Sequence, residues 1–250
     1  IQYLCSTVEH RNLDMQILDL NFEILKNTHI NPSFSHVEWE SILEDKLNEF
    51  NPSIVCVSCL FDVGISPMLS VIQRARKRQN TIVIGGGVIA TYEWQKLLSD
   101  DLCHFVVEGE GENKLNYLLD LLYDELEQVS MSGIHFNMAG KYEESIGKKD
   151  IVDIRGDLID TYKLINLSEY CEYGSLNPFS RNIENTKMPF ATIQLGRGCR
   201  AACSFCAVRD FLGKGVRYRN LDDIIGEMEY LVESEKVQHF ELLDDDPTSH

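Results

Sequence analysis

The chain predicts an α/β fold, with a doubly wound sheet over roughly the first 130 residues and the opening of a second α/β unit near residue 190. Two observations predict it. Short apolar runs of strand length recur through the first half, separated by stretches of helical periodicity. Further on, an apolar run leads into a cysteine-rich loop, followed by a helix-like stretch and another apolar run.

Taken in order, MQILDL (Met15–Leu20), IVCVS (Ile54–Ser58), TIVIG (Thr81–Gly85) and HFVVEG (His104–Gly109) read as buried parallel strands. Helical stretches lie between and after them, at His36–Phe50, Ser66–Gln79, Thr91–Ser99 and Glu112–Gln128. A hairpin is expected at Gly133–Glu143, turning at MAGK. From about Ser145 to Pro189 periodicity fades and Asn, Ser and Tyr accumulate, which reads as a linker packing across two domains. ATIQLG (Ala191–Gly196) is the next strand, VRYRN (Val216–Asn220) is extended, Leu221–Ser234 is helical and HFELLDD (His239–Asp245) closes the series. The expected segments are therefore 1–130, 131–189 and 190–250. No internal repeat or low-complexity tract interrupts them.

Composition narrows the function classes. Apolar content of 44% and charged content of 25% are those of an ordinary globular protein. The longest apolar runs, such as TIVIGGGVIA, fall short of a membrane span, and IQYLCSTVEHRN lacks the design of a signal peptide. The scattered cysteines suit reduced thiols in a cytoplasmic protein, with Cys5, Cys56, Cys59 and Cys103 as core fillers. Cys56 and Cys59 form a CxxC, but an extended backbone points them to opposite faces. A net charge of −17 repels phosphate backbones, so no nucleic-acid partner is expected. RARKRQ (Arg74–Gln79) is the only dense basic run, and it fits the C-terminal end of a helix, where cations complement the dipole.

Cys199, Cys203 and Cys206, spaced C-x3-C-x2-C, carry the sharpest chemistry. Three thiolates from one loop hold a four-iron cluster with one iron open, the position needed to bind a substrate or cofactor. Zinc is the main competitor, and three incidental core cysteines are the bland alternative. No cysteine follows Cys206 and the next histidine is His239, so a local fourth zinc ligand is missing. Two loops in the first half also stand out. Ser58-Cys59-Leu60 and Gly85-Gly86-Gly87 each follow a strand, at the edge where open α/β sheets bind ligands. Glycines there admit a bulky ligand close to the backbone, and a tight turn explains them equally well.

The loop GRGCRAACSFCAV resembles that of the radical S-adenosylmethionine (radical SAM) enzymes, whose motif is C-x3-C-x-aromatic-C, with Phe205 at the aromatic position. The order strand, cysteine loop, helix, strand matches that family's opening unit, and Arg200 departs from it where many members carry Pro. The resemblance implies a 4Fe-4S cluster on Cys199, Cys203 and Cys206, with S-adenosyl-L-methionine on the open iron. It implies that Phe205, Asp244 and Asp245 lie near SAM, although the run through Asp246 also reads as a solvated acidic turn. Arg217 and Arg219 face a carboxylate near the cluster or, as favoured here, pair with Asp222 and Asp223. Upstream, SxL and then GG resemble the nucleotide-tail pocket of cobalamin-binding domains, which implies cobalamin contacts from Ser58, Leu60, Gly85, Gly86 and Gly87. VVEGEGENKLNYLL also resembles cobalamin-dependent radical SAM proteins, while helix capping accounts for Glu108, Glu110 and Glu112 as well. The D-x-H-x-x-G run that ligates cobalt in other cobalamin domains is absent, so no histidine is assigned to the lower cobalt face.

The fold expected from these resemblances is a flavodoxin/Rossmann-like cobalamin-binding domain followed by the opening part of a radical SAM (β/α) partial barrel. The first strand of the family domain and the later barrel strands are not found in the sequence, so a fragment of a longer enzyme is expected. The implied activity is a cobalamin-dependent radical SAM methyltransferase acting on an unactivated carbon or phosphorus centre. Non-methylating chemistry (cyclisation, rearrangement or oxidation) and a cobalamin- or redox-sensing module are the alternatives. The implied partners are a small-molecule or peptide substrate and an external flavodoxin- or ferredoxin-like electron donor.

Overall fold

The computed structural model describes residues 1–123, 131–138, 141–144, 152–154, 156, 158–174 and 188–247. The chain divides into two compact units. Leu43–Val152 forms one, the sheet unit; Ile1–Ile42 with Asp153–His250 forms the other, the hairpin unit. This division runs elsewhere than the boundaries expected at 130 and 189, because residues 1–42 pack with the later segment.

In chain order the helices begin with α1 (Gln2–Val8), α2 (Leu20–Ile30) and α3 (Trp39–Phe50). The strand expected at Met15–Leu20 does not form. Alternate residues Leu13, Met15 and Ile17 are half-buried as the pattern requires, but no neighbouring strand pairs with them. Asp19 instead caps α2, its Oδ1 accepting the Phe22 N–H at 3.1 Å, so Leu20 starts a helix.

The sheet unit is doubly wound. Strands β1 (Ile54–Ser58), β2 (Ile82–Gly86) and β3 (Phe105–Val107) are parallel and adjacent. Helices α4 (Ile65–Arg76) and α5 (Gly87–Ser99) follow β1 and β2, and α6 (Glu112–Leu122) follows β3. The antiparallel hairpin β4 (Ile134–Met138) and β5 (Lys141–Glu144) extends the sheet beyond β3. That hairpin stands where the sequence places it; its turn at 139–140, and the C-terminal part of the helix expected to reach Gln128, lie outside the described residues. Alternate strand residues separate two cores. Val83 and Val106 join Met68, Ile72, Ala90, Leu97 and Leu98, whereas Ile84 and Val107 join Leu118, Ile134 and Phe136. The parallel strands therefore end together, each delivering a loop to one edge.

In the hairpin unit, α7 (Leu167–Tyr173) follows a 3-10 segment at Ile159–Leu164. Phe22 stacks on Tyr170 with centroids 3.9 Å apart, and Lys26 pairs with Glu169 at 2.6 Å, joining α2 to α7. Of the expected linker, residues 145–151, 155, 157 and 175–187 lie outside the described residues. Strand β6 (Phe190–Ile193) leads into β7 (Gly196–Cys199), then α8 (Val208–Leu212), β8 (Gly215–Tyr218), α9 (Leu221–Glu233) and β9 (His239–Leu242). β9 pairs parallel to β6, and β7 pairs antiparallel to β8. Ile193, Ile224, Leu231 and Val237 form the core between α9 and the parallel pair. No helix among the described residues is long and apolar enough to cross a membrane.

Candidate functional site

At the strand-end edge of the sheet unit, Ser58 pairs with Gly86 across β1 and β2. The three glycines have three different jobs. Gly85 faces inward, and a Cβ there would lie 3.1 Å from Cys103 Sγ, so its smallness serves packing. Gly86 has no atom of the described residues within 4 Å of a Cβ. Gly87 starts α5 with φ +84°, and a Cβ there would stand 2.6 Å from Ser58 Oγ. Gly86 and Gly87 thus leave the backbone bare beside an exposed Ser58. Leu60, Phe61 and Val63 of the loop after β1 are all exposed, an apolar shelf next to that opening. Of the cobalamin contacts expected, Ser58, Leu60, Gly86 and Gly87 lie at one accessible edge, and Gly85 belongs to the core beneath it.

The loop after β3 reaches the same edge. Thr91 Oγ1 donates to Gly87 O at 2.8 Å and accepts the Gly109 N–H at 2.9 Å, so one hydroxyl fastens the glycine turn to the EGEG run. Thr91 does not stand out in the sequence, because no local spacing announces a contact between α5 and a later loop.

In the hairpin unit, Cys199 is the last residue of β7, and the chain returns to it at Gly215 in β8. Glycine is required in β7: a Cβ on Gly196 would lie 2.6 Å from Arg217 O, and one on Gly198, at φ +95°, 2.3 Å from Gly215 O. The two strands close only because those side chains are absent. Between them, residues 200–207 are all exposed, Phe205 to 90%, and the Cys206 N–H donates to Cys203 O at 3.2 Å.

The acidic run after β9 ties down this hairpin. Asp244 accepts the N–H groups of Leu195 and Gly196 at 3.0 and 2.5 Å. Asp246 pairs with Arg200 at 3.1 Å, its Oδ2 lying 3.9 Å from Cys199 Sγ. Burial, and next the charge of Asp244, raise the pKa of Asp245. Arg219 pairs structurally, as favoured, but with Glu227 of α9 instead of Asp222 or Asp223. The Arg219–Glu227 contact is 2.6 Å, both side chains are buried, and Glu227 also accepts from Tyr162 OH at 2.7 Å. Burial raises Tyr162, and the Glu227 charge raises it further. Arg217 donates to Leu212 O at 3.2 Å, across the base of the loop.

Residues 1–119 match the B12-binding family, the B12 binding domain. The anaerobic magnesium-protoporphyrin IX monomethyl ester cyclase of Synechocystis sp. is 28% identical over 174 residues, covering 68% of this chain and 31% of the relative. The hopanoid C-3 methylase of Methylococcus capsulatus is 22% identical, covering 93% and 40%. Among solved structures, the radical S-adenosylmethionine methyltransferase TsrM of Kitasatospora setae superposes with a TM-score of 0.69 at 18% identity, over 98% of this chain and 44% of that one. The cobalamin-dependent S-adenosylmethionine radical enzyme OxsB superposes at 0.65 and 16%, over 98% and 31%. Residues 1–119 therefore carry the likeness to a B12 binding domain, and the chain is similar to cobalamin-binding radical SAM enzymes. It spans 31% and 40% of the two curated relatives.

An iron–sulfur cluster needs soft donors held close together, and the chemistry of this donor set fits one. Three soft thiols come from one exposed loop, and the Ala201 N–H points at Cys199 Sγ at 3.4 Å, the type of bond that tunes cluster sulfurs. Among the described residues no three of His, Cys, Asp or Glu surround one ion position, so the cysteines are not gathered in ligating geometry. The root of the hairpin is set by strand pairing and the thiols stand at its open end.

Proposed function

We propose that this chain is the cofactor-binding part of a cobalamin-dependent radical SAM methyltransferase. The observation that carries the reading is the joint occurrence of the C-x3-C-x2-C hairpin with a B12-binding-domain match in one chain. The likeness to the methylase and to TsrM, whose descriptions name methyl transfer, supports that chemistry.

In this reading Cys199, Cys203 and Cys206 hold a 4Fe-4S cluster whose open iron takes SAM, and Ser58, Leu60, Gly86 and Gly87 border the cobalamin site. When bound, these cofactors supply reductive SAM cleavage and a methyl group carried on cobalt. The chain's own residues orient and shield. Asp244 fixes the entry to the cysteine hairpin through two backbone N–H groups, and Asp246 neutralises Arg200 beside Cys199. Phe205 offers an exposed aromatic face between two of the thiols in sequence, and Asp245 remains the candidate carboxylate toward the SAM ammonium. A flavodoxin- or ferredoxin-like donor supplies the electron, the substrate is a small molecule or peptide, and the reduced thiols fit a cytoplasmic setting.

Similarity to the cyclase favours a second reading, in which the same cofactors serve a non-methylating reaction. One experiment tests both. After anaerobic iron–sulfur reconstitution, the full-length protein is incubated with SAM, cobalamin and reductant. We expect 5′-deoxyadenosine and S-adenosylhomocysteine, with 5′-deoxyadenosine abolished by Cys199→Ala. 5′-Deoxyadenosine without S-adenosylhomocysteine supports the non-methylating reading, and no excess over the Cys199→Ala control refutes the radical assignment.

A further inference from the structure

Glu108 stands directly after β3, on the same sheet edge as Ser58 and the glycine turn. Its Oε2 accepts a hydrogen bond from His135 Nε2 at 3.1 Å. His135 lies in β4 opposite Val106, its side chain is only 1% exposed, and its ring stacks on Trp94 of α5 with centroids 4.0 Å and planes 10° apart. A carboxylate only accepts, so Nε2 carries a proton toward Glu108. The other ring nitrogen, Nδ1, is buried without a hydrogen-bond partner among the described residues. Such burial is a cost to the fold that an apolar residue on β4 would avoid. What the histidine adds is a carboxylate held in one direction, on a side chain still 44% exposed. The neighbouring residue is fixed too, through the Gly109–Thr91–Gly87 hydrogen bonds.

We propose that Glu108 is a ligand-binding acceptor at this edge, with His135 and Trp94 as its positioning residues. It takes a neutral donor, an amide N–H or a hydroxyl, of the molecule lying across the strand ends. A carboxylate repels anionic groups and rewards neutral donors, so the amide- and ribose-bearing flank of cobalamin suits it better than the phosphate. The inference rests on the cobalamin reading given above.

The test is titration of the full chain with hydroxocobalamin, followed by visible absorbance, together with urea unfolding of each variant. Glu108→Gln keeps the size but loses the charge. His135→Phe keeps the stacking ring and removes the donor, and His135→Gln restores a donor. We expect affinity to fall about tenfold or more in Glu108→Gln and His135→Phe, and to recover to within about threefold of wild type in His135→Gln. The unfolding midpoint of His135→Phe should equal or exceed that of wild type. Wild-type affinity in both Glu108→Gln and His135→Phe overturns the inference and leaves the cobalamin reading standing. A loss confined to His135→Phe overturns it as well, because the histidine then acts only on the fold. A wild-type chain that does not bind cobalamin overturns both.

Discussion

His104 shows how a single side chain makes the sheet unit sensitive to acid. It precedes β3, its Nδ1 accepts the Val83 N–H at 2.8 Å, and Arg76 reaches its Nε2 while also pairing with Asp101. Burial, then the Arg76 charge, lowers its pKa below the ordinary 6.5. A lowered value means the folded chain binds the proton less readily than the unfolded chain. The stabilisation is therefore complete above about 6.5 and is lost as pH falls below it toward the folded value. We expect the urea midpoint to fall between about pH 7.5 and 5.5, and the fall to be smaller in His104→Gln. An identical pH dependence in both proteins sinks this account. The same scale exposes the limits of local reading. Arg219 lies only three and four residues before Asp222 and Asp223, yet it reaches Glu227 two turns into α9, because a buried guanidinium needs a partner that is buried with it. His135 and Trp94 could not be paired from sequence, since their stacking depends on how α5 crosses the sheet.

At the scale of elements, the cysteine hairpin is the most demanding piece of backbone. A Cβ on Gly198 meets a carbonyl oxygen at 2.3 Å and φ is +95°, whereas Gly213, at φ +87°, has nothing within 4 Å. Gly198→Ala is expected to destabilise the hairpin unit by roughly 1–3 kcal/mol or more and to lower iron bound per chain after reconstitution. Gly213→Ala meets only the backbone term and should retain more iron. Equal iron in the two variants would show that close approach of β7 and β8 is not what holds the thiol loop. Elements with both periodicity and a boundary residue were legible: Ile54–Ser58 matches its strand end to end, and Leu221–Ser234 differs from α9 by one residue. Met15–Leu20 was not, because alternation reports burial and only a partner strand makes a ladder. The cysteine loop and the two strand-end loops were legible because their chemistry is local in sequence.

For the molecule as a whole, charge sets the environment. The net charge of −17 is spread over a chain whose dense basic run is already engaged: Arg74 and Arg78 meet Glu44, and Arg76 meets Asp101. Self-repulsion between the remaining carboxylates opposes compaction and is screened by salt. Raising sodium chloride from about 10 mM to 300 mM is expected to raise the thermal midpoint, as the screening length drops from roughly 30 Å to below 10 Å. A lowered midpoint would mean that the ion pairs outweigh the repulsion. Sequence order gives no sign that Phe22 and Lys26 of α2 meet α7.

Gln194 and Leu195, the short link between β6 and β7, receive bonds from two directions. Asp244 grips the Leu195 N–H from the end of β9, while Arg219 gives its N–H to Leu195 O at 2.8 Å and its Nη1 to Gln194 O at 3.1 Å. The cysteine hairpin is thus a cantilever, clamped on both sides at its root, with residues 201–207 of its outer loop exposed. Cys203 and Cys206 ride on that loop, so iron can be wrapped by the outer arm while the parallel strands beneath keep their register.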